Sequence, residues 1–350
     1  EDTIGDDGME PTTGRFETGS VLGDPSTALP PSYGPAFPAG TSSERATLFD
    51  RVRANPLEAN GYRALADHFD GSADALRAGL MLEVARALDG DPLAAPRTPR
   101  LVISAADRVG LKHPSLRSEE GELLAMVGLL LCRLAPRRPT NGLETLRLDA
   151  GKGAKPTADA LLAAVRILGV RAPDVFVSAE SGPPMAIAFD ENPRLLVGKA
   201  AVRKPVPDAE LRFYAGRALF TLSPELLALR TLRREHVLRG LQLVRNVAQG
   251  TGSPVEVRLV RDGLTPTAWQ RLKTLVQTHG ESLDVAALAE GARHSANRAG
   301  LVVCGAVAPV VTALRSKKAL PAELIELIRF ASSERYLQLR TRVVSSSRSG

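Results

Sequence analysis

Residues 208–224 read DAELRFYAGRALFTLSP. Pro207 and Asp208 form a helix start, Glu210 lies in the first turn where the macrodipole favours an anion, and Pro224 stops the run. Phe213, Gly216, Leu219 and Phe220 recur at helical spacing, so one face is apolar, and Gly216 lets another backbone come close. The stretch reads as a buried helix.

Working outward, residues 174–198 offer three short apolar runs, DVFVS, MAIAF and RLLVG. Alternation in Val175 and Val177 and in Ala186 and Ala188 suits half-buried strands, with turns at Ser181-Gly182-Pro183 and Glu191-Asn192-Pro193. Further on, residues 293–305 read RHSANRAGLVVCG. Over about 170–305 this order of strands, helix and later helix resembles HtpX-like zinc metallopeptidases of the gluzincin class. Their active-site helix has the form E-L-x-F-x-x-G-H-E-x-x-H, matched here at Glu210, Leu211, Phe213 and Gly216. In that motif two imidazoles one turn apart grip zinc and the carboxylate between them takes a proton from zinc-bound water.

Here Arg217, Ala218 and Thr221 stand at those three places. In the family's third-ligand helix, E-x-x-A-D-R-A, this chain keeps Ala296, Arg298 and Ala299. Arg293 replaces the glutamate and Asn297 the aspartate. A guanidinium cannot ligate a cation, a methyl cannot accept a proton, and a lone hydroxyl is a poor zinc ligand. The resemblance therefore implies a metallopeptidase-like fold with no catalytic residue, no metal and no cofactor: a pseudoenzyme serving as a scaffold or adaptor for a protein or peptide partner. One strand of the family's small sheet aligns substrate backbone, which suits an extended ligand.

The degenerate positions are Arg217, Ala218, Thr221, Arg293, His294 and Asn297. His294 adjoins the third-ligand place, but with His68, His113, His236 and His279 it forms no i, i+4 pair, so a hydrogen-bonded helical histidine is the favoured reading. If the fold is kept, Arg217 and Arg293 converge on the old zinc cavity, either paired with a local acid such as Glu290 or forming an anion pocket.

The 350 residues, 44% hydrophobic and 24% charged, suit a soluble, mainly helical α+β protein with a buried core. The order read from the sequence is a flexible tail or linker over 1–42, tetratricopeptide-like helices over 43–135, the metallopeptidase-like domain over 136–342 and a disordered tail over 343–350. Tyr62, Leu65, Ala66 and Phe69 share a face in the second region, where an ordinary helical hairpin remains an equal alternative. No apolar run reaches the roughly 20 residues of a membrane span and no signal peptide is visible; a cytoplasmic, bacterial protein is the expectation. Cys132 and Cys304 lie in apolar runs as reduced thiols.

Three local expectations complete the reading: Thr157 as N-cap of the helix that follows it, a short strand within SPVEVRLVRDGL (253–264), and one amphipathic helix over residues 321–343. Against the scaffold stand two other functions, an enzyme of unrecognised chemistry in the same fold and weak nucleic-acid or anion binding through an arginine-rich surface. The net charge of +6 is a small difference between 45 basic and 39 acidic residues, and no recognisable nucleic-acid module accompanies it. Partner identity and oligomeric state leave no mark in the sequence.

Overall fold

The computed structural model describes residues 43–91, 99, 102–136, 143–146, 155–178, 184–203, 206–280 and 282–345. Expectations for residues 1–42, the turn at 181–183 and residues 346–350 lie outside these. The described chain belongs to one unit, mainly helical with a small mixed sheet.

Three helices open it: α1 (Ser43–Ala54), α2 (Ala59–Gly71) and α3 (Ala75–Asp89). Tyr62, Leu65, Ala66 and Phe69 are all buried on α2, and the Tyr62 hydroxyl donates to the Pro56 carbonyl at 3.0 Å, closing the α1–α2 turn. Next come α4 (Ala105–Leu111), a short 3-10 turn at Pro114–Arg117, and α5 (Glu119–Leu134). Ser104 and Asp107 form a reciprocal capping box on α4, and Ser118 caps α5.

Helix α6 spans Lys155–Leu168. Thr157 is its third residue rather than its N-cap. Its hydroxyl is buried and donates to the Ala201 carbonyl at 3.0 Å, so a tertiary acceptor takes the bond that a cap would have made locally.

The sheet contains β1 (Glu144–Thr145), β2 (Asp174–Ser178), β3 (Met185–Phe189) and β4 (Pro193–Gly198), in the order β1-β2-β4-β3. β2 runs parallel to β4, while β3 and β4 form an antiparallel hairpin turned at residues 190–192. Gly198 N–H donates to the Pro184 carbonyl at 2.9 Å, and Ala186 faces Leu196 while Ala188 faces Arg194. By the alternation of antiparallel ladders, the N–H groups of Met185, Ile187 and Phe189 point away from β4, to an edge unpaired among the described residues.

After α7 (Lys199–Arg203), α8 covers Asp208–Phe220 and α9 covers Pro224–Thr231, with Pro224 at the first turn of α9. Burial on α8 exceeds one stripe: Leu211, Phe213, Tyr214, Ala215, Gly216, Ala218, Leu219 and Phe220 are enclosed, and so is Arg212. Burial raises the pKa of Glu210, against the favourable first-turn dipole.

The remaining helices are α10 (Arg234–Ala248), α11 (Pro254–Arg261), α12 (Pro266–His279), α13 (Val285–Cys304), α14 (Val307–Ser316), α15 (Pro321–Ala331) and α16 (Glu334–Ser345). Two of them correct the sequence reading. The expected strand within 253–264 is helix α11, because Ser253 and Glu256 make a capping box around Pro254. Val255 is 75% exposed and pairs with no strand among the described residues. The single helix expected over 321–343 is broken at Ser332 and Ser333, whose hydroxyls donate to the Ile328 and Phe330 carbonyls at 2.9 and 2.6 Å. Ser333 Oγ then accepts from Tyr336 N–H and starts α16, which continues to Ser345.

At the centre, α8 lies against α13. A Cβ on Gly216 would come within 2.8 Å of Val303 and 3.1 Å of the Ala299 carbonyl. One on Gly300 would come within 2.5 Å of the Phe213 ring and 2.7 Å of the Phe213 carbonyl, so each helix offers a glycine to the other's bulk. α6 and β3 flank α8, α3 packs on α14, and α5 packs on α9. The helices before residue 135 thus share contacts with those after 136.

Candidate functional site

Where α8, α9, α13 and α15 meet, aliphatic packing gives way to charge. Arg217 lies in the last turn of α8, and its Nη2 stands 3.2 Å from Glu323 Oε1 on α15. Asn297 of α13 donates from Nδ2 to the same oxygen at 2.7 Å. The glutamate is 7% exposed and the asparagine 1%, so both groups were taken out of water to meet. Glu323 therefore ties α8 and α13 together through a third helix.

More positive charge surrounds this junction. Arg293 precedes Asn297 by one turn of α13 and so shares its side of the helix. Arg230 occupies the last turn of α9, which packs on α13. Burial first, and the neighbouring Arg293 charge as a further contribution, lower the Arg217 pKa against the pull of Glu323. Burial and then the Arg217 charge bring Arg230 down to about 9, with Glu323 opposing and Arg293 adding. Among the described residues, neither Arg230 nor Arg293 has a hydrogen bond or an ion pair. The Nε atoms of Arg217 and Arg230 and the Oδ1 of Asn297 are buried without a hydrogen-bonding partner.

The other sequence candidates behave differently. Thr221 donates its hydroxyl to the Arg217 carbonyl at 3.0 Å, which satisfies it within α8. Ala218 is buried and brings no polar atom. His294 belongs to a second cluster, its ring centre 5.4 Å from that of His113 and its Nε2 3.9 Å from Glu290. Glu290, the acid suggested for the arginines, thus stands beside the histidine.

Burial lowers the pKa of His294 and holds His113 down to about 4, the latter helped by the Arg298 charge. Nearby, Arg298 is 3% exposed, pairs with Glu326 and lies 5.2 Å above the Phe330 ring.

His113 also raises the question of nucleophilic chemistry, since its Nδ1 lies 2.9 Å from Ser115 Oγ. A Cβ on Gly291 would sit 2.2 Å from that hydroxyl, so Ser115 is pressed against α13 with no room for a substrate. The imidazole caps the 3-10 turn by accepting from Ser115 N–H, and the His113 N–H donates to Ser295 Oγ at 2.7 Å. The pair is a joint between elements.

Zinc does not fit the α8–α13 contact. At the places the motif assigns to ligands and base, Arg217 and Arg293 are guanidiniums with no lone pair to give, Ala218 has no polar atom and Thr221 is already bonded to backbone. Among the described residues no three His, Cys, Asp or Glu side chains are grouped to hold a metal ion, and no helix is long and apolar enough to cross a membrane.

Sequence reasoning reached Arg217, Arg293 and Asn297 but missed Glu323 and Arg230. Glu323 was hidden inside an amphipathic run whose apolar stripe drew attention. Arg230 carried only the faint signal of a basic residue closing a helix. Comparison with protein-family models, curated proteins and solved structures returns no match.

Proposed function

We propose that the chain is a non-catalytic, metallopeptidase-like binding module, joined to tetratricopeptide-like helices, that accepts an extended protein or peptide segment along the free edge of β3. The observation carrying this reading is the position of that edge. Beside α8, the outward N–H groups of Met185, Ile187 and Phe189 have no strand partner among the described residues. An unpaired edge is a template for strand addition, with backbone bonds supplying affinity and side-chain pockets supplying selectivity. On this reading the places of a peptidase's catalytic groups hold Arg217, Ala218, Arg293 and Asn297, so a segment laid on β3 is held and not cut.

The test is a peptide selection. Random dodecapeptides displayed on phage are selected on the intact chain and then measured against the Ile187→Pro variant, which removes one outward donor and leaves the bonds to β4 in place. The expected result is loss of binding by the variant and slowed amide exchange confined to residues 185–189 when peptide is present. Protection elsewhere, or equal binding by a folded variant, would remove β3 as the site. Stoichiometric zinc by elemental analysis of the purified chain would overturn the non-catalytic reading itself.

A further inference from the structure

We infer that Arg217, Arg230 and Arg293 form an anion site for a phosphoryl group at the junction of α8, α9, α13 and α15. The inference does not depend on the β3 edge or on kinship with peptidases. Three guanidiniums from three helices are gathered around one carboxylate, Glu323, which already serves Arg217 and Asn297. Arg230 and Arg293 are thereby left with no ion pair of their own among the described residues.

Charge arithmetic decides whether the protein itself neutralises the cluster. Arg217 and Arg230 each lie in the last turn of their helix, where the macrodipole contributes roughly half a negative charge per helix end. Two such ends and one carboxylate offset about two of the three positive charges, and the remainder is left in a partly buried place where repulsion is poorly screened. An anion carrying about one charge closes the balance, and a phosphoryl group supplies it in its singly ionised form.

Hydrogen-bonding capacity points the same way. The unused guanidinium donors include Arg217 Nε and Arg230 Nε, and planar forks of this kind match phosphoryl oxygens two at a time. Asn297 contributes the opposite type of group: its buried Oδ1 accepts from nothing while its Nδ2 is committed to Glu323. A phosphoryl group that retains a proton can donate to such an oxygen, and a fully ionised carboxylate cannot. The Arg217 side chain is 20% exposed and Arg230 and Arg293 are partly buried, so the cluster is not sealed from solvent on every side.

The experiment follows thermal unfolding of the full chain with increasing inorganic phosphate, against sodium chloride at matched ionic strength. The comparison is repeated with Arg230→Met and Arg293→Gln. The parent is expected to gain melting temperature with phosphate in a saturable way, and each variant to bind phosphate about tenfold or more weakly.

Without phosphate, the variants are expected to melt at or above the parent temperature, since each removes a repelled charge. A merely structural arginine would instead lower it under both conditions. Phosphoserine peptide and glycerol phosphate, run in parallel, distinguish a protein-borne phosphoryl group from a small phosphorylated metabolite. Equal effects of phosphate and chloride on the parent would overturn the site, as would undiminished phosphate binding in both variants.

Discussion

Helix α13 meets α8 and α15 in opposite ways. Towards α8 it presents Ala299, Gly300 and Val303, and the contact is so close that a single methyl has nowhere to go. Towards α15 it presents Asn297 and Arg298, which reach Glu323 and Glu326 through hydrogen bonds and ion pairs. Both contacts are buried, yet one is specified by volume and the other by charge. The first should respond steeply to an added carbon and little to pH or salt, whereas the second should tolerate changes of size and fail when a charge is lost.

The largest expected effect breaks the apolar side. Gly300→Val places branched carbon against the Phe213 ring and carbonyl, and overpacking of this kind costs about 3 kcal/mol or more. Urea unfolding should show a lower midpoint at an unchanged slope, and a loss under about 1 kcal/mol would mean that the helices slide apart freely.

On the polar side, Glu323→Gln leaves the three arginines without a carboxylate. The expected loss is about 2–3 kcal/mol, below the figure for a fully enclosed pair because the Arg217 side chain keeps 20% exposure. Added phosphate should restore part of that loss in the variant, and chloride should not.

A smaller effect sharpens the contrast by pH. Burial and the Arg298 charge hold His113 down to about 4 from an ordinary 6.5, so between these values the unfolded chain takes up a proton that the folded chain refuses. The corresponding stability is complete above 6.5 and is lost as the pH falls towards 4, by roughly 1–2 kcal/mol after allowance for partial exposure. The lowered pKa of His294 acts in the same direction. Unfolding midpoints at pH 7 and pH 5 should differ less in His113→Asn than in the parent, and an equal difference would remove His113 as the source.

The smallest change concerns the corner between α15 and α16. Ser333→Ala removes the cap of α16 and should cost about 1 kcal/mol without altering phosphate response. A changed phosphate response would mean that the α15–α16 corner positions Glu323.

What could be read in advance follows the range of the interaction involved. The start of α8 was legible because Pro207 and Asp208 act on their own neighbours, whereas its end falls at Phe220 and Pro224, expected to stop it, opens α9 instead; Gly216 advertised a close approach without naming its partner. Thr157 was misassigned because its acceptor is the Ala201 carbonyl, 44 residues away. Residues 253–264 were read as holding a strand although the Ser253–Glu256 capping box, a local signal, was present and decisive.

At the candidate site, Arg217, Arg293 and Asn297 were found through their places in two motif blocks. Their common acceptor was not, because Glu323 is 106 residues from Arg217 and only the packing of α15 on α13 brings them together. Tertiary charge pairing leaves no periodicity in a sequence, whereas caps and apolar faces do.

The two thiols offer a use of their own. Cys132 on α5 and Cys304 at the end of α13 are 2% and 0% exposed, and burial pushes them up to about 11 and about 12. An alkylating reagent that needs an accessible thiolate can react with either one only while the chain is open. One sulfur thus keeps time for the α5–α9 seam and the other for the α8–α13 seam, and mass-resolved alkylation would tell whether the two seams open together or apart.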